Sequence, residues 1–121
     1  MTTNEINEIK ANLSQFTGSE HYYKILGGIM YTDSLKYLAE TCQCYWFLDV
    51  ICSHALSNPK VNKEPFQVYK LTVNANHSAI VEISDGNDNI LDKQRIEFTD
   101  FPLDSITVWC IDGIILSPSE Y

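Results

Sequence analysis

Cys42, Cys44, Cys52 and His54 sit close together in the chain, in the pattern C-x-C-x7-C-x-H. Thiolate and imidazole are the ligands that hold zinc, so metal binding is the first chemistry to weigh. The spacing opposes it. The segment reads as helix, where residues two apart point about 200° apart and residues ten apart are separated by ~15 Å along the axis. A tetrahedral ion with bonds of ~2.0–2.3 Å does not collect four ligands from such a rod. The cysteines, with Cys110, are therefore expected as small hydrophobes, and neither metal nor cofactor is expected.

Asp49 is the second candidate. The residues Leu35, Leu38, Cys42, Tyr45, Asp49, Cys52 and Leu56 recur at spacings of three and four and describe one helical stripe. That phase places a carboxylate on the apolar side, where it needs a partner. The bland reading is a structural acceptor bonded to Ser53, a tyrosine hydroxyl or a helix N-terminus. The sharper reading is a pocket or enzyme site that Asp49 forms with Tyr31, Tyr37 or Tyr45. Asp49 and His54 are five residues apart on a helix and do not face each other. No nucleophile elbow, zincin helix, phosphate loop or dinucleotide fingerprint is present, so a non-enzymatic role is favoured.

The acids are unevenly distributed. Residues 82–120 hold nine acids against the two bases Lys93 and Arg95, which accounts for −7 of the formal −8. Nucleic acid and anionic membrane are thereby disfavoured as partners. Asp85, Asp88, Asp92, Glu97, Asp100 and Asp104 form a candidate acidic interaction face. Such a face would imitate a phosphate backbone and engage a basic nucleic-acid-binding protein, as an inhibitor of a restriction or nuclease system would. The plainer reading is that these acids serve turns and strand ends, where Asp bonds to nearby backbone and charge blunts edge pairing.

The elements that must position these groups follow from periodicity. Thr2-x-x-Glu5 fits a capping box that opens a helix over 3–15, with Ile6, Ile9, Leu13 and Phe16 on one side and Gly18 as C-cap. Residues 21–31 read as a short strand or extended segment bent at Gly27-Gly28. Residues 33–56 form either one long helix or two that meet near Gln43, with the nearly all-apolar second half as the central buried helix.

From Pro65 the period changes to two. Strands are expected at 66–74, 78–84 and 90–98, and then at 106–111 and 114–116 around the Asp112-Gly113 hairpin signal. The expected fold is thus a single α+β domain over 1–121. An antiparallel sheet of four to five strands packs against an N-terminal helix and a long central helical region.

With 45% hydrophobic residues among 121, the chain can bury a sizeable core. No run of ~20 apolar residues suggests a membrane span. The polar N-terminal segment does not read as a secretion signal, so a cytoplasmic protein with reduced thiols is expected. The final stretch, TVWCIDGIILSPSEY, is apolar on both faces. It marks either a central part of the sheet or an interface, and with it a homo-oligomer, most simply a dimer.

Six phrases also resemble a small bacterial family of unknown function associated with plasmids and other mobile elements. They are Phe16-Thr17-Gly18-Ser19-Glu20, Tyr31-Thr32-Asp33, Tyr37-Leu38-Ala39-Glu40, Tyr45-Trp46-Phe47-Leu48-Asp49, Asp85-Gly86-Asn87 and Thr99-Asp100-Phe101-Pro102-Leu103. The resemblance implies a bacterial or phage origin and one domain. It carries no activity onto any residue. Mobile-element context fits the inhibitor reading by association alone. The first expectation is therefore an uncharacterised, self-associating interaction module. The acidic decoy and the Asp49 pocket stand behind it.

Overall fold

The computed structural model describes residues 1–18 and 20–121, so Ser19 of the Phe16–Glu20 phrase lies outside the described residues. The order of elements is α1 (Thr3–Gln15), β1 (Tyr22–Lys24), β2 (Met30–Thr32), α2 (Asp33–Thr41), α3 (Tyr45–Ser57), β3 (Phe66–Val73), β4 (Ala79–Ser84), β5 (Ile90–Ile96), β6 (Ser105–Ile111), β7 (Ile114–Leu116) and a short 3₁₀ turn, Pro118–Glu120. Helix α1 begins at the expected capping box: Thr2 Oγ1 accepts from the Glu5 N–H at 3.2 Å, and Glu5 Oε1 accepts from the Thr2 N–H at 3.2 Å. It ends at Phe16 rather than Gly18.

The α+β class holds, but the sheet has seven strands, in the order β1-β2-β7-β6-β3-β4-β5. The expectation of four to five strands falls short because of β1 and β2. Each has three residues, too few to show an alternation. They form an antiparallel hairpin around Gly27-Gly28, and β2 then joins β7 in parallel. That parallel pairing is a contact between distant segments that no local pattern announces. The β6–β7 hairpin turns where expected, with Asp112 at φ 49° and Gly113 at φ 82°.

The long central helix is corrected to two helices. Cys42 caps α2, Gln43 adopts φ 51°, and the Cys44 N–H donates back to the Ala39 carbonyl at 3.0 Å. This is a Schellman ending, with buried Ala39 and Cys44 as its apolar contact. Glycine usually takes the left-handed position. Here glutamine does, which is why the sequence shows no break.

The helices cover one face of the sheet. Phe47, Leu48, Ile51 and Cys52 of α3 are buried, as are the inward residues Tyr69, Leu71, Val81, Ile83, Val108, Cys110 and Ile115 of the strands. The buried Tyr69 hydroxyl lies 2.7 Å from Gln67 Oε1 and 3.5 Å from the Ile51 carbonyl. The Gln67 amide donates to the Val61 and Glu64 carbonyls at 3.0 Å each, tying down the 58–65 loop. Among the described residues no buried side-chain polar atom lacks a partner.

Candidate functional site

Asp49 is exposed. The left-handed residue at 43 breaks the phase that ran through α2, so the buried side of α3 is Cys44, Phe47, Leu48, Ile51 and Cys52. The continued stripe is thus wrong for α3: Tyr45 and Leu56 are also exposed. Tyr31 stands between Tyr23 and Tyr45, with ring centroids 5.4 and 6.4 Å away. Tyr37 instead packs on Phe16 of the α1 C-cap, and its hydroxyl accepts from Asn12 Nδ2 at 3.0 Å. The structure brings Tyr31 and Tyr45 together but does not enclose Asp49 with them.

All four cysteines are free and buried. Burial pushes the thiols of Cys42, Cys52 and Cys110 up to about 11 and that of Cys44 up to about 12. They are therefore protonated at neutral pH and poor nucleophiles. His54 turns towards β5. Its Nε2 lies 2.7 Å from Gln94 Oε1, and the Asn58 amide bridges His54 Nδ1 at 2.9 Å and Asp92 Oδ2 at 2.8 Å. Among the described residues no three His, Cys, Asp or Glu side chains converge on a metal position.

The six carboxylates of the expected acidic face are not on one face. Asp85 and Asp88 occupy the turn before β5, while Glu97, Asp100 and Asp104 lie beyond its far end. Seven strand residues span about 23 Å. Asp92, between the two groups, points to the helical side. The Asn58 side chain bonded to it, then the Lys93 N–H, hold its carboxyl below the ordinary range. Asp85 likewise serves its turn: it accepts from the Asn89 side chain at 2.9 Å and the Asn87 N–H at 2.8 Å. These are the local backbone duties that favour Asp in turns.

The most distinctive surface is the face of the sheet opposite the helices. The strand registers align Tyr22, Met30, Ile114, Leu116, Ile111, Trp109, Phe66 and Val68 on it. Phe66 and Trp109 have ring centroids 5.0 Å apart, and Tyr121 meets both edge-on at 6.3 and 5.4 Å. Tyr121 is 79% exposed and Tyr22 51% exposed. A shallow notch of about 240 Å³ opens among Tyr22, Ile111, Ile114, Leu116 and Tyr121.

Charge on this face is polarised. Asp112 and Glu120 line the notch at the β7 end. Glu120 is held there by the Thr32 hydroxyl at 2.7 Å, by Ser34 Oγ and by the Ser117 N–H at 3.0 Å. At the β5 end the register puts Lys70, Lys93 and Arg95 beside Glu82, and the 85–89 turn, with Asp85 and Asp88, comes against Phe66 and Val68 through Gly86. Lys93 lies 3.8 Å from Glu82. Lys24 on β1 is the one base on this face away from that end. The apolar hairpin at 106–116 pointed to an interface here. Tyr22, Phe66 and the cationic end were missed: the alternation in β3 and β5 contains Phe66 and the bases, whereas Tyr22 stands on the three-residue β1.

A family model described as a family of unknown function, DUF6876, matches residues 7–121. No curated protein matches the chain, and no solved structure matches it.

Proposed function

We propose that this chain, which belongs to the DUF6876 family of unknown function, is an interaction module that pairs with a second copy of itself through the uncovered face of its sheet. The observation that carries the reading is the aromatic and aliphatic centre of that face. It is flanked by acids at the β7 end and by bases at the β5 end.

Two copies related by a two-fold axis and stacked face to face would bring the basic end of each onto the acidic end of the other. The Phe66–Trp109–Tyr121 cluster would then meet its own counterpart. Self-complementary charge around an apolar centre is what an isologous interface requires. Seven strands at ~4.8 Å spacing extend about 29 Å, a width suited to an interface of standard size. The acidic-decoy reading lacks this support, because five of its carboxylates divide between the two ends of β5 and Asp92, within it, turns to the helical side.

Four free, buried thiols favour a reducing compartment such as the cytoplasm. Among the described residues no helix is long and apolar enough to cross a membrane.

Sedimentation velocity of the native chain tests the pairing. The expected species has twice the 13.8 kDa chain mass. Trp109→Glu, which places a charge within the Phe66–Trp109–Tyr121 centre of the face, raises the dimer Kd by about 100-fold or more. A native chain that stays monomeric at high micromolar concentration overturns the proposal.

A further inference from the structure

A larger concavity than the notch lies elsewhere, at the end of the helical layer. It is a groove of about 640 Å³ between the start of α1, the α2–α3 junction, the β3–β4 turn and the corner from β5 to β6. Its size falls within the range of sites for small ligands. Trp46, His77, Phe98 and Phe101 supply aromatic walls, and Asp100 supplies a carboxylate. Among the described residues no lysine or arginine lines it, although Met1, which carries the α-amino group, does. The segment from Glu97 to Asp104 contributes three acids and no base.

The rim is rigid. The Thr99 N–H donates to the His77 carbonyl at 2.8 Å, and the Phe101 N–H donates to Thr99 Oγ1 at 3.1 Å. Thr99, Phe101 and Leu103 are buried in the corner, while Phe98 and Asp100, on either side of Thr99, are exposed. Phe98 is 65% exposed, with its ring centroid 5.7 Å from that of His77. The open Phe98 ring is available to a ligand that enters the groove. Gln43 and His77 both line the groove, and both hold left-handed backbone at φ 51° and 66°.

We infer that this groove binds organic cations, such as a quaternary ammonium, a primary amine or a guanidinium group. The aromatic faces of Trp46 and Phe98 receive the cation, and the Asp100 carboxylate pairs with its charge. Aromatic faces attract cations through their quadrupole, and a carboxylate at the rim adds selectivity against neutral molecules. The inference involves none of the residues of the proposed self-association face, so each stands or falls separately.

The test is a ¹H–¹⁵N NMR titration of the full chain with choline, with agmatine, and with 3,3-dimethylbutanol as the neutral isostere of choline. The expected result is saturable shifts from one or both cations at the Trp46 indole, Gln43, His77 and residues 98–101, with none from the neutral isostere. Asp100→Asn is expected to weaken binding about tenfold, and Phe98→Ala about threefold or more. Both side chains are exposed, so the variants keep the fold. The inference is overturned if neither cation gives saturable shifts, if the neutral isostere binds equally well, or if Asp100→Asn binds as tightly as the native chain.

Discussion

The two faces of the sheet are built from the same strands and differ in what covers them. On the helical side, Tyr69 is fully buried and its hydroxyl is bonded, and Phe47, Leu48 and Ile51 interlock with Leu71, Val81 and Val108. On the other side, Phe66 and Trp109 pack on each other and on an exposed Tyr121, and the turn at Gly86 comes against the Phe66 ring, but among the described residues no helical layer lies over them. One face is a finished core. The other has the aromatic content of a core but also a charge pattern, which a core would not tolerate. The difference implies that substitutions on the first face act on folding and substitutions on the second act on association.

The strongest way to break this contrast is to open a cavity on the covered face. Phe47→Ala is expected to cost about 3–5 kcal/mol of stability, read by urea unfolding under conditions where the chain is monomeric. A loss below about 1 kcal/mol would show that the helical layer is not the main core.

Next is the alkaline limit. The four thiols are shifted by burial from an ordinary value of 9.0 to about 11 or 12. Below 9.0 they are protonated whether the chain is folded or not. As pH rises from there towards 11–12, only the unfolded chain ionises them, so stability is lost progressively. Urea midpoints at pH 8 and pH 10 should differ in that direction. On the open face, Arg95→Glu is expected to weaken self-association about five- to tenfold at low salt and less at high salt. Sedimentation equilibrium at two ionic strengths checks it, and the monomer's urea midpoint should barely move.

The smallest effect separates the two helices of the covered face. Gln43→Gly removes the cost of a side chain in left-handed backbone and should raise stability by about 0.5–1 kcal/mol, measured by thermal unfolding. A loss instead would mean that the glutamine side chain does more than tolerate the turn.

Much of the fold was legible because its signals are local. The capping box at Thr2, the alternation in β3 and β4 and the Asp112-Gly113 turn each encode their geometry within a few residues. The resemblance to a family of unknown function is borne out by the family match over 7–121. The Asp49 stripe went astray at one residue. A Schellman ending that uses Gln43 in place of glycine shifts the helical phase, and the carboxylate moves from core to solvent. The strand-like reading of residues 21–31 with a bend at Gly27-Gly28 did not show that they form two strands of the sheet, because three residues cannot display a period and their place depends on β7, about 80 residues later.

The sequence by itself determined the class of the protein and where its elements begin and turn, since caps, periods and turn residues act through neighbouring backbone. It also determined that the last hairpin is apolar on both sides. Only the tertiary structure decided which side of each strand the helices cover and which charges share a surface. It divided five of the six candidate acids between the two ends of β5 and gathered Lys70, Lys93 and Arg95 on the open face. The reason is physical: parity along a strand fixes which residues share a face, but only packing against α3 settles which face becomes the interior.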